Sequence, residues 1–266
     1  MSAGKGGKEI SVVSVEIKKS RIQITLSNKE VIECSPDAYT EFRIYENKVM
    51  SPAELKRIKE YVAQDDAYSK AISMISSHPR TEMEVCEKLK SMGTTLEARN
   101  KIIARLKKNG LLDDKQFALD YAEELSSYKK EGRNLILRKL KDRGVSEEIM
   151  NKLDFPSKTE KNNALSWMDS LNTRYARLPN NRKLQQCKIA LRDKGFDPEA
   201  IEYAIGKGYE ENSERDDRAK LKKDLQAALA KYERKYEGYA LRSHLFACLA
   251  RKGYDYDDIN NVLEDI

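Results

Sequence analysis

Hydrophobic and polar residues change their rhythm once along this chain. Between residues 10 and 34 the segments ISVVSVEI, RIQITL and EVIEC are β-branched and partly alternating, and KKS and SNKE interrupt them. Alternation at period two with polar breaks predicts a small antiparallel meander of two or three strands. A short helix is predicted from about Asp37 to Tyr45. Ser51-Pro52-Ala53-Glu54 then supplies an N-cap, a proline at the first helical position and a glutamate able to bond back to the cap;. From there to Ile266 the apolar spacing is helical and nothing reads as a strand. Residues 1–9, MSAGKGGKE, are glycine-rich and polar and read as a disordered tail;. They lack the GxxxxGK[ST] pattern and flanking strand of a phosphate loop.

The helical part repeats. Val85-Leu89-Gly93, Ile136-Leu140-Gly144, Cys187-Leu191-Gly195 and Leu245-Leu249-Gly253 share one register, an apolar residue or Cys, then Leu four later, then Gly four after that. The first two positions put a stripe on one helix face, and the glycine falls where a helix ends in a left-handed cap. The glycines are 51, 51 and 58 residues apart, so the fourth copy carries a seven-residue insertion. Each stop is followed by a new helix start (Ser146-Glu147, Asp197-Pro198 or Asp257-Asp258) with apolar positions such as Ile149, Ile201 and Ile259. A further helix precedes each segment, marked by Ala67 and Ala71, Phe117 and Tyr121, Leu165 and Met168, and Leu225 and Leu229. Each copy is therefore three helices. The predicted fold is mainly α, tandem three-helix repeats in an elongated curved array with a small N-terminal antiparallel β-meander. The expected boundaries are a β-rich region over 10–50, repeats over 51–112, 113–157, 158–206 and 218–266, and a hinge-like linker over 207–217.

Composition agrees with such an array. Of the 266 residues 39% are hydrophobic and 35% charged, which leaves limited core per residue;. Fifty Lys and Arg against 44 acids give a net charge of +6, which permits an acidic partner without requiring one;. Cys34, Cys86, Cys187 and Cys248 are 52, 101 and 61 residues apart, with only His78 and His244 to assist them. That spacing is wrong for a zinc site and reads as reduced thiols. No apolar run reaches the ~18 residues of a membrane span and no signal peptide is evident, so a cytoplasmic protein is expected.

Charge is concentrated. From Tyr128 to Gly144, Lys129, Lys130, Arg133, Arg138, Lys139, Lys141 and Arg143 face only Glu131 and Asp142, a net +5 in 17 residues. On a helical wheel Ile136, Leu137 and Leu140 are buried, with Arg138 nearly opposite and Lys139, Lys141 and Arg143 on the flanks. In the first repeat Arg99, Lys101, Arg105, Lys107 and Lys108 fall within ten residues. Two adjacent basic stretches predict a continuous patch facing phosphates or acidic protein, against the alternative of a solvated helix face. Little aromatic interleaving accompanies them, so base stacking is not indicated. Arg174, Arg177, Arg182 and Lys183 are the next candidates. Catalytic groups are not evident: there is no Gly-x-Ser-x-Gly, and two isolated histidines do not make a triad. Asp113-Asp114 is explained by helix capping, as is Thr81 with Glu84. No metal and no cofactor are expected.

One stretch carries a resemblance. Pro79-Arg80-Thr81-Glu82-Met83-Glu84-Val85, Lys88-Leu89 and Gly93, then Asn109-Gly110-Leu111-Leu112-Asp113-Asp114-Lys115-Gln116-Phe117-Ala118 with Tyr121, resemble the signature of the bacterial regulatory protein RecX family. Gly132-Arg133, Ile136, Leu140 and Gly144 match as well. The resemblance covers about residues 65–153, and beyond them only the repeat frame persists. Arg99 and Thr94-Thr95-Leu96 depart from the family's usual aliphatic residue and aromatic-Asp-Pro helix start. The resemblance implies a non-catalytic modulator that binds the RecA recombinase filament along its groove and alters its growth, ATP hydrolysis and strand exchange. It also implies contact with single- and double-stranded DNA, which is expected to be weak, and the protein is expected to be a monomer. The alternative is a general helical nucleic-acid-binding or scaffold protein that shares only the repeat.

Overall fold

A computed structural model describes residues 9–264, and the expected tail, apart from Glu9, lies outside them. The elements run β1 (Ile10–Ile17), β2 (Ile22–Leu26), β3 (Val31–Cys34), α1 (Pro36–Glu41), β4 (Val49–Met50) and α2 (Pro52–Ser77). Then follow α3 (Glu82–Ser91), α4 (Leu96–Lys108), α5 (Asp114–Ser127), α6 (Arg133–Asp142) and α7 (Glu147–Met150). The chain closes with α8 (Ser157–Leu165), α9 (Met168–Arg174), α10 (Asn180–Asp193), α11 (Pro198–Gly208), α12 (Glu214–Tyr232), α13 (Gly238–Lys252) and α14 (Tyr256–Leu263). Mainly helical three-helix repeats behind an N-terminal antiparallel sheet are thus what the chain forms. It divides into two compact units, one reaching Phe117 and including Arg143–Val145, the other holding 118–142 and 146–266.

In the first unit the sheet has the order β3-β2-β1-β4, antiparallel throughout. The strand β4 is a correction: two residues, Val49 and Met50, are too few to alternate, yet they pair with Ser11 and Ile10 of β1. The predicted short helix stops at Glu41, where Phe42 leaves the helical conformation. Ser51 caps α2 through the Glu54 amide at 3.2 Å, with Pro52 at the first turn. The Glu54 carboxylate goes to Lys48 at 2.8 Å. Helix α2 serves two cores. Leu55, Ile58 and Val62 pack on Val12, Ile24 and Leu26 of the sheet, whereas Ala67, Tyr68 and Ala71 meet Val85, Leu89, Ile103 and Leu106. Thr95 caps α4 through the Ala98 amide, so the departure from the family pattern at 94–96 still starts a helix.

The second unit has a shorter third helix in the second repeat, the four-residue α7, and a split first helix in the third, where Ser166 and Trp167 separate α8 from α9. Its cores gather Ala164, Met168, Cys187, Leu191, Phe196 and Ala204 in the third repeat, and Leu221, Leu225, Leu245, Leu249, Ile259 and Leu263 in the fourth. The stretch read as a linker contributes 207–208 to α11 and 214–217 to α12. What lies between is held to α9 and α10. Asn180 and Asn212 exchange backbone–amide bonds of 2.8 and 3.2 Å, Asn172 bonds the Gly208 carbonyl and the Glu210 amide, and buried Lys183 donates to the Glu210 carbonyl. The backbone groups of Gly208, Glu210 and Asn212 are thereby satisfied by side chains of α9 and α10;.

The repeat glycines show how copies meet. Gly93, Gly144, Gly195 and Gly253 have φ of +78, +80, +87 and +94°, the left-handed helix stop;. A Cβ on Gly144 would lie 2.5 Å from Met83 Cβ, on Gly195 2.2 Å from the Leu135 amide nitrogen, and on Gly253 2.7 Å from Arg182 Cβ. Met83, Leu135 and Arg182 all stand at the start of the middle helix of the preceding repeat. Hydrogen bonds accompany the contact: Thr81 Oγ1 to the Arg143 carbonyl at 2.7 Å, and the Gly132 and Asn134 amides to the Lys194 and Gly195 carbonyls at 2.9 Å. So the glycine turn of each middle helix seats on the start of the middle helix before it. Gly93, in the first repeat, has no preceding copy and nothing within 4 Å of its Cβ position.

Candidate functional site

The basic candidates fall on α4, the α5–α6 turn, α6 and the turn after it. In the first unit, the apolar stripe Ala98, Ile102, Ile103 and Leu106 buries one face of α4 and turns the bases outward. Most of them are engaged. Arg99 donates to the Thr94 carbonyl at 2.9 Å, with its Nε buried. Lys101 pairs with Glu97 at 2.7 Å, Lys107 with Glu82, and the Arg105 guanidinium lies 3.9 Å from the centre of the Tyr68 ring. Lys108 is exposed with no such partner among the described residues.

Arg143 is turned inward. Its Nε and a terminal nitrogen donate to both oxygens of Glu84 at 2.9 and 3.0 Å, and its guanidinium lies 4.5 Å from the Phe117 ring centre. Burial alone would raise the Glu84 pKa. The hydrogen bonds from Arg143 and the Thr81 amide, with the charges of Arg143 and Arg80, outweigh it and hold the carboxyl below 4.5;. The same Glu84 completes the capping box with Thr81. Arg143 is therefore part of the repeat junction.

In the second unit the stripe of α6 is Ile136 and Leu140, both fully buried, each contributing roughly 1.5–3 kcal/mol;. Arg138 stands exposed on the opposite side, as the wheel predicts. Lys139 bonds both oxygens of Glu131 at 2.7 Å, Lys141 reaches exposed Glu147 at 3.3 Å, and Arg133 lies 5.8 Å from the Phe155 ring centre. Lys129 and Lys130 are exposed on a turn that is itself fixed. Lys130 has φ +53°, its carbonyl accepts the Trp167 indole N–H at 2.8 Å, and the Lys194 ammonium sits 3.1 Å from the Trp167 ring centre. Among the described residues Lys129, Lys130 and Arg138 have no ion-pair partner, so the second repeat presents three uncompensated cations beside the weakly paired Lys141. Tyr128, 82% exposed next to Lys129, is a surface side chain that helical periodicity does not single out. It shares α5's register of apolar positions with Leu125 but lies past the end of the helix.

Other sequence candidates have structural roles. Asp113 accepts the Lys115 and Gln116 amides at 2.9 and 3.0 Å, and Asp114 accepts the Glu82 amide at 2.8 Å, so both carboxylates cap helices. Cys34 and Cys187 are buried thiols whose pKa burial raises, and Cys86 and Cys248 are half-buried. Lys183, a reserve candidate for contact, is only 3% exposed. A cavity of about 290 Å³ between α5 and the segment before α8 is lined by Leu119, Ala122, Phe155, Glu131 and Glu160. Glu160 at its edge accepts the Arg133 amide at 3.2 Å, and burial raises its pKa.

Three-helix units whose middle helices end in left-handed glycine turns define a helical repeat protein. Residues 67–106 match the family described as RecX, first three-helix domain, and 113–152 match RecX, second three-helix domain. The Regulatory protein RecX of Streptococcus pneumoniae serotype 19F (strain G54) is 31% identical over 264 residues, covering 96% of this chain and 99% of that protein. That of Streptococcus uberis is 28% identical over 97% of this chain and its own full length. A crystal structure of regulatory protein RecX overlays with a TM-score of 0.62 at 23% identity, across 74% of this chain and all of that one. The chain belongs to the RecX family of regulatory proteins. Among the described residues no helix is long and apolar enough to cross a membrane.

Proposed function

We propose that this protein binds the RecA–DNA filament and alters its assembly, ATP hydrolysis and strand exchange, without catalysing a reaction itself. It acts as a cytoplasmic monomer that also touches single- and double-stranded DNA weakly. Family membership supports the regulatory role. The observation that carries the contact surface is the exposed, unpaired set Lys129, Lys130 and Arg138 on the second repeat. Uncompensated cations on a rigid turn and helix gain the full attraction of a phosphate or carboxylate array, because no internal ion pair must first be broken. Lys108 offers the same on the first repeat. Arg143 and Lys139, already bonded to Glu84 and Glu131, act by shaping the surface.

Charge reversal tests this. Lys130→Glu with Arg138→Glu leaves Ile136 and Leu140 in place, so stability should change by only about 0.5 kcal/mol. Binding to preformed filaments, followed by anisotropy of the labelled protein, should weaken at least about tenfold at low salt, with the difference shrinking as salt rises. Lys158→Glu, an exposed lysine at the start of α8, is the control and should matter little. Filament binding by the double variant equal to the parent's would reduce these cations to a solvated face.

A further inference from the structure

The fourth repeat carries what the basic stretches of the first two lack. Its α12–α13 junction reads Lys231-Tyr232-Glu233-Arg234-Lys235-Tyr236-Glu237-Gly238-Tyr239-Ala240-Leu241-Arg242-Ser243-His244, three tyrosines and a histidine among four bases and two acids. The rings gather at one place. Tyr236 and His244 have centroids 3.9 Å apart, and His244 stacks on Tyr232 at 5.7 Å with 15° between planes. Tyr239, on the first turn of α13, is 88% exposed, more than any other large hydrophobic side chain among the described residues. Three residues on, Arg242 shares its helix face and is also exposed;.

We propose that this junction is a stacking site for unpaired nucleobases of a single-stranded nucleic acid. Each component of such a site is present. An exposed aromatic ring offers a face to any base, and a neighbouring guanidinium adds charge and a second flat surface. Arg234, Lys235 and Arg242 have no ion-pair partner among the described residues, leaving them for the backbone phosphates. Helix α13 begins with no side-chain cap on its first amides, so its positive end also favours a phosphate;. Gly238 turns the chain with φ +53° and has nothing within 4 Å of its Cβ position, so the approach to Tyr239 is open. A duplex hides its base faces within the stack, so Tyr239 discriminates between the two forms. A solvated helix end would need no unburied tyrosine in this position.

The inference is independent of the RecA reading, because its test uses bare nucleic acid and no recombinase. The full-length protein is titrated into a fluorescein-labelled oligo(dT) of ~20 nucleotides and, separately, a duplex of similar length, and anisotropy is followed. Tyr239→Ala should weaken oligo(dT) binding about tenfold, within the range for losing one stacked base, while duplex binding stays within about twofold. Tyr239→Phe keeps the ring and should bind like the parent. Far-UV circular dichroism checks that the exposed substitution leaves the helices intact. Unchanged oligo(dT) binding by Tyr239→Ala would overturn the proposal and leave the tyrosine as a contact for protein. Equal losses on both nucleic acids would overturn it too, since they would report charge or folding instead of stacking.

Discussion

The guanidinium of Arg143 lies on Phe117 and grips both oxygens of Glu84, 59 positions away in sequence, with side-chain exposures of only 25 and 22%. Two charged hydrogen bonds in a half-buried place contribute more than a surface pair. Glu84→Gln should therefore cost about 2 kcal/mol at neutral pH in urea unfolding. The pH dependence follows from the lowered pKa. Between the folded value and 4.5 the unfolded chain binds the extra proton, so the stabilisation is complete above 4.5 and is lost as pH falls through the folded value;. The gap between parent and variant should close on acidification, and a gap constant down to strongly acid pH would show that charge is not its cause. The helical wheel puts Arg143 on a flank of α6, but that helix ends at Asp142 and Arg143 turns inward from the turn that follows. Sequence cannot name Glu84, because the pairing depends on how one repeat seats on another, and local spacing records only contacts within a helix.

At the scale of elements, the glycine stops do two jobs that can be separated. Gly93 and Gly144 share a left-handed φ, +78 and +80°, but only Gly144 abuts another helix start. Alanine at either position meets the backbone cost of roughly 1–2 kcal/mol. At Gly144 it also meets Met83 Cβ, which adds an overpacking cost of roughly 1–3 kcal/mol. Gly144→Ala should thus lower the melting temperature clearly more than Gly93→Ala. Equal effects would contradict the head-to-tail seating of middle helices. The repeat register and the caps at Ser51, Thr81, Ser146 and Asp197 were readable because each is a local rule of spacing or side-chain chemistry. Strand β4 was not, since two residues carry no period and their pairing with β1 is long-range. Nor was the break between α8 and α9, where Ala164, Leu165, Trp167 and Met168 form an unbroken apolar pattern across the interruption. The last helix begins at Tyr256 with Asp255 as its cap, ahead of the expected start at Asp257, because Asp255 accepts the Asp257 amide at 2.9 Å.

For the whole molecule, net charge understates what is available for contact. The formal +6 is small because 44 acids offset the 50 bases, yet only a minority of the bases are held in ion pairs among the described residues, Lys101, Lys139, Arg143 and Lys161 being four of them. Exposed bases with no ion-pair partner among the described residues, Lys129, Lys130 and Arg138 among them, remain outward; under the proposed function, stoichiometry separates a filament regulator from a protein that simply coats DNA. A regulator acts on a polymer whose subunits work together, so few bound molecules alter many. A coating protein must occupy the lattice. The most direct measurement is the rate of DNA-dependent ATP hydrolysis by RecA as this protein is titrated in at fixed DNA and salt. The change should be half complete well below one molecule per RecA subunit and should be weakened by Lys130→Glu with Arg138→Glu. A change that appears only when the added protein suffices to cover the DNA, or no change at all, would contradict the proposed function.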